Sequence, residues 1–87
     1  MKWRVVVSGP LEKEPVLKQF ADELEKYFDV RLDVKAYYKM VQVRINGVPV
    51  VARPHTAIRD VKDLRKLFWP FYRKHKHHIR QRILEKR

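Results

Sequence analysis

The chain has no cysteine, one serine, one asparagine and two glycines among 87 residues. Without cysteine there is no disulfide to brace a small core, no thiol nucleophile and no thiolate metal site. The absence also fits a reducing, intracellular setting. With Ser8 the sole serine, no Ser-His-Asp set can be assembled, and two glycines do not make a Gly-rich loop that cradles phosphate. Long apolar runs are missing too. The three valines of the N-terminal MKWRVVV are too few for the apolar stretch of a secretion signal, and nothing approaches the length of a transmembrane helix. The chain therefore reads as soluble and cytoplasmic. It is long enough for one domain, whose core is marginal at this size.

Acidic residues are scarce after residue 36. Residues 1–36 hold seven Lys/Arg and seven Asp/Glu, whereas residues 37–87 hold fourteen against three, so the whole net charge of +11 lies there. Ordinary surfaces intersperse their signs. A field this lopsided is expected where a polyanion docks, nucleic acid first and an anionic membrane second. One Asn, three Gln, no Cys and 36% charged residues match the profile of a hyperthermophile protein. The composition is like that of small archaeal ribosomal proteins, a likeness of composition and not of motif.

Periodicity supplies the elements. Residues 2–8 (KWRVVVS) have the β-branched content of a strand, and Val5, Val6 and Val7 suggest burial on both faces. Gly9-Pro10 ends it, and Pro15 suits the first position of a helix. Val16, Leu17, Phe20, Leu24, Tyr27 and Phe28 then recur at helical spacing over residues 15–28. DVRLDVKAYY alternates, with Val30, Leu32, Val34, Ala36 and Tyr38 on one side and Arg31, Asp33, Lys35 and Tyr37 on the other. A second alternation over residues 41–45 meets Asn46-Gly47, a strong hairpin signal, before residues 48–52. Pro49 cannot donate to a ladder, which assigns that last strand to an edge. Asp60, with Asp63 three residues on, suits the cap of a second helix whose apolar face runs Val61, Leu64, Leu67, Phe68, Phe71, Tyr72. Pro70 either kinks that helix or splits it.

The expected fold class is α+β: a two-layer β-α-β-β-β-α arrangement, with a mixed sheet and the helices on one face. Residues 1–72 form the compact domain. Residues 73–87 form a basic C-terminal helical extension, expected to project from the body, disordered or only partly helical until something neutralises it.

That extension carries Arg73, Lys74, Lys76, Arg80, Arg82, Lys86 and Arg87, with His75, His77 and His78 and a single acid, Glu85. One or two cations at a helix C-terminus favour the macrodipole, each by about 0.3–1 kcal/mol. Seven like charges repel one another and gain nothing further for folding, so anion binding is expected over a merely solvated face. Lipid would want a broad apolar face, which the extension lacks, so no membrane partner is expected. Nucleic-acid phosphate suits Lys and especially Arg. The expected contacts are Arg65, Lys66, Arg73, Lys74, Lys76, His77, Arg80, Arg82, Lys86 and Arg87, with Tyr37 as an exposed ring for base stacking. Trp69, Phe71 and Tyr72 could also stack on bases, with the core as the competing assignment, and Phe71 is assigned to the core. Gln81 is the one base-edge reader among these cations, so backbone binding is expected over sequence reading.

Other chemistries have weaker footing. His75 and His78 stand three apart and could share an ion, yet no carboxylate or thiol stands at helical spacing to complete a set, and His55 would have to arrive from elsewhere. No metal or other cofactor is expected. Asp33-Val34-Lys35 has the D-x-K spacing of metal-dependent nucleases of the PD-(D/E)xK type. Any alternating polar strand produces that spacing, and the further acid it needs has only Glu12, Glu14 and Asp22 as candidates. The chain is therefore expected to be a non-catalytic RNA-binding protein, a small ribosomal or other ribonucleoprotein subunit from a thermophile, with structured RNA as partner. A sequence-tolerant DNA-binding, chromatin or viral protein is the alternative. A nuclease, or an adaptor pairing through its edge strand, stands further back, and oligomeric state is left open.

Overall fold

A computed structural model describes residues 2–85, with side chains through Arg80. Strand β1 (Arg4–Gly9) leads through a 3-10 turn into helix α1 (Glu14–Leu24), followed by β2 (Asp29–Val34), β3 (Met40–Ile45), β4 (Val48–Pro54), a second 3-10 turn and helix α2 (Val61–Glu85). The sheet order is β2-β1-β3-β4, with β1 parallel to β2 and both other pairings antiparallel. This is the expected two-layer α+β architecture with a mixed sheet.

Alternation decides which face is covered. Val5 and Val7 of β1 and Val41, Val43 and Ile45 of β3 are wholly buried, together with Leu17, Phe20 and Leu24 of α1 and Leu64 and Phe68 of α2. Both helices therefore lie on one face. The other face carries Ser8, Gln42 and Arg44 and is open, so Val6 is half-buried and the valine run is not enclosed on both sides as expected.

Pro15 sits in the first turn of α1. The helix ends at Leu24, not at residue 28, because the chain turns there to bring Phe28 into an aromatic cluster. The Tyr27 and Phe28 amides both donate to the Leu24 carbonyl, at 2.9 Å each. Phe28 meets Phe68 and Tyr72 edge-on, and the next amide, Asp29, donates to the Trp3 carbonyl at 2.8 Å to begin β2.

β2 stops at Val34, and the Tyr38 amide donates to the Lys35 carbonyl at 3.2 Å. That turn breaks the expected alternation and carries Tyr38 to the open face. At the hairpin, Asn46 and Gly47 both have positive φ, 49° and 84°, the conformation that a two-residue turn demands. β4, with Pro49, is an edge strand as read, and its ladder to β3 is irregular at Val43/Arg44.

α2 opens on a reciprocal cap. Asp60 Oδ1 accepts from the Lys62 and Asp63 amides (2.9 and 3.3 Å), while Asp63 Oδ2 accepts from the Arg59 and Asp60 amides (2.8 and 3.4 Å). Pro70 lies inside the helix without ending it. The basic half, expected to project in a disordered or partly helical state, continues the same helix to Glu85. Ile79 falls on the helical face of Phe68, Tyr72 and His75, is 0% exposed and joins the single core cluster.

Candidate nucleic-acid interface

Between Asp63 and Glu85 the chain has no acidic residue. Helical spacing sorts the side chains of α2: Leu64, Phe68, Tyr72, His75 and Ile79 turn inward, and Lys62, which precedes Asp63, falls in line with Lys66, Arg73, His77 and Arg80 on the far side. All five of these are exposed. At 1.5 Å per residue the stripe from Lys62 to Arg80 is about 27 Å long. Lys74 and Lys76 flank it, also exposed, the Lys76 ammonium lying 5.9 Å from the centroid of the Tyr72 ring. Among the described residues, none of Lys66, Arg73, Lys74, Lys76 or Arg80 is in an ion pair. Lys62 was not among the expected contacts. The signal was present, since Lys62 and Lys66 stand four apart on the line that Arg73 and His77 continue.

Arg65 does not belong to this stripe. Its Nε donates to Glu23 Oε2 at 3.1 Å and a terminal nitrogen donates to Oε1, a two-pronged pair that ties α2 to α1. Hydrogen bonding to Glu23 raises the pKa of the guanidinium still further. Arg82 falls within α2, but its side chain, like Lys86 and Arg87 entirely, lies outside the described residues. Phe71, assigned to the core by spacing, is 36% exposed, and its ring lies 4.3 Å from that of His75. Trp69 and Tyr72 are half-buried among the aromatics, and burial raises the Tyr72 phenol.

Tyr37 is 72% exposed but stands on the opposite side of the molecule. It lines a shallow concavity of about 460 Å³ on the open face of the sheet, together with Ser8, Tyr38, Lys39, Gln42 and Arg44. The structure therefore does not bring Tyr37 together with the α2 cations, because the whole sheet lies between them. Tyr38 packs edge-on against Tyr37, with ring centroids 5.1 Å apart, and its hydroxyl donates to Asp33 Oδ2 at 2.8 Å, which raises the phenol pKa. Lys35 Nζ stands 3.7 Å from Asp33 Oδ1, so Asp33 and Lys35 engage each other. His55 faces Glu12, Nδ1 to Oε1 at 3.1 Å. Among the described residues no three His, Asp or Glu side chains converge as a metal site, and no helix is long and apolar enough to cross a membrane.

A scan against protein-family models and comparisons with curated proteins and with solved structures found no match.

Proposed function

We propose that this chain is a non-catalytic RNA-binding protein that grips the phosphate backbone through the solvent face of α2, as a small ribonucleoprotein subunit working in the cytoplasm of a thermophile. The observation that carries this reading is the row Lys62, Lys66, Arg73, His77, Arg80 on the solvent side of α2, with one gap between Lys66 and Arg73 where Trp69 and Pro70 stand. Its four Lys and Arg side chains are in no ion pair among the described residues, with Asp63 acting on Lys66 only at longer range, and they are held by a helix whose inner face is anchored in the core. Fixed cations release counterions from a polyphosphate without first ordering themselves. Gln81 is the one Asn, Gln or Ser in the sequence of α2, a scarcity that favours recognition by shape and backbone, the mode by which folded RNA is bound. Duplex DNA is the competing partner.

Reversing three stripe charges tests the proposal: Lys66→Glu, Arg73→Glu and Arg80→Glu together. All three residues are exposed, so folding should survive, and affinity for a structured RNA at low salt is expected to fall by about two orders of magnitude or more. Unchanged affinity in a folded variant overturns the assignment. Tyr37→Ala supplies the contrast. Facing away from α2, it should leave affinity within about twofold, against the fivefold or greater loss expected from a stacking contact worth about 1–3 kcal/mol.

A further inference from the structure

The two edges of the sheet are built differently. β4 carries Pro49 and Pro54 and an irregular ladder, the usual protections against pairing with another chain. β2 has no proline and pairs with β1 in unbroken register over six residues. The Asp29 amide donates to the Trp3 carbonyl and the Lys35 amide to the Gly9 carbonyl, so the odd-numbered residues of β2 turn their backbone groups toward β1. By alternation Val30, Leu32 and Val34 present theirs outward, and no other described strand pairs with them.

We infer that β2 docks against β2 of a second copy of this chain, antiparallel about a two-fold axis at Leu32, to make a continuous eight-stranded sheet. The stretch Asp-Val-Arg-Leu-Asp-Val-Lys (residues 29–35) complements itself in that register. Asp29 faces Lys35 of the other copy, Arg31 faces Asp33, and each pair occurs twice. On the helix side Val30 faces Val34 and Leu32 faces itself. The register also suits the backbone. Val30, Leu32 and Val34, whose amides and carbonyls point outward, become the hydrogen-bonded pairs, and the charged residues take the intervening positions, where side chains approach more closely. Moving the axis to Arg31 sets Arg31 against itself and Asp29 against Asp33. Moving it to Asp33 sets Asp33 against itself and Arg31 against Lys35. Leu32, 38% exposed in the single chain, is covered by its counterpart at the axis. Asp33 keeps the Tyr38 hydroxyl on Oδ2 while Lys35 leaves Oδ1 to Arg31 of the other copy.

The inference is independent of nucleic-acid binding and is tested by mass in solution. Sedimentation equilibrium of the full chain across the micromolar range should give twice 10.6 kDa. Arg31→Asp and Asp33→Arg each place like charges opposite one another twice and should raise the dimer dissociation constant by about tenfold or more. Mixing the two variants restores both attractive pairs, so the mixture should dimerise where neither does alone. A single-chain mass for the unaltered protein, or single variants that dimerise as before, overturns the inference. Leu32→Cys reads the register directly in a chain with no other thiol. Hydrogen-bonded partners stand about 5.5 Å apart at Cα, within disulfide reach, so mild oxidation should link two copies much faster than it links Thr56→Cys. Equal rates at the two positions also overturn it.

Discussion

Among the described residues after Arg73, Ile79 is the one that is fully buried, and it joins the basic half of α2 to the core cluster. Ile79→Ala is expected to cost about 2–5 kcal/mol in a denaturant melt, as for a well-packed core isoleucine, whereas Arg80→Ala beside it should stay within about 0.5 kcal/mol. Gly9 is similarly constrained. A Cβ there would stand 2.7 Å from Leu17 Cδ1 and 3.3 Å from Val41 Cγ2, and Leu17 is itself fully buried. Gly9→Ala should therefore destabilise by about 1–3 kcal/mol through overpacking. Asp63 makes stability depend on pH. Chiefly because its carboxylate accepts from the Arg59 amide, and then from that of Asp60, its pKa is lowered below the usual carboxylate value. A lowered pKa contributes stability above the unfolded value, and that stability is lost as pH falls through the folded one. Urea midpoints should accordingly fall on the acid side, and Asp63→Asn should flatten part of that fall.

Elements defined by neighbouring residues are legible in the sequence. Pro15 starts a helix, Asn46-Gly47 closes a hairpin, Asp60 and Asp63 cap each other, and Pro49 marks an edge, each through chemistry contained within a few residues. What was not legible depended on distant partners. α1 stops at Leu24 because Phe28 is wanted by Phe68 and Tyr72, and Arg65 is taken by Glu23 from 42 residues away. The same holds for Tyr38, whose place on the open face follows from Asp33 and the turn after β2, not from its parity in the strand. In α2, Pro70 leaves the Lys66 carbonyl without an amide four residues on, at an exposed position. Pro70→Ala should therefore raise the unfolding free energy, by as much as about 3 kcal/mol. Truncation after Tyr72 should lower it, because the removed segment includes buried Ile79.

At the scale of the whole molecule, the charge asymmetry was visible in composition alone, but its arrangement was not. Composition places the excess cations after residue 36. Topology then divides the candidate contacts between two surfaces, with the α2 stripe outside the helical layer and Tyr37 on the open sheet behind it. Contacts expected to act together are thus set apart by the thickness of the fold, and Arg65 is spent on joining the helices. The measurement that bears most directly on the account is binding of one structured RNA and one duplex DNA of matched charge, titrated over a range of salt concentrations. Engagement of four to seven phosphates by α2 predicts that log K falls with log[salt] at a slope of about −3 to −6, with the RNA bound more tightly throughout. A slope near zero, or duplex DNA bound as tightly as the RNA, would contradict it.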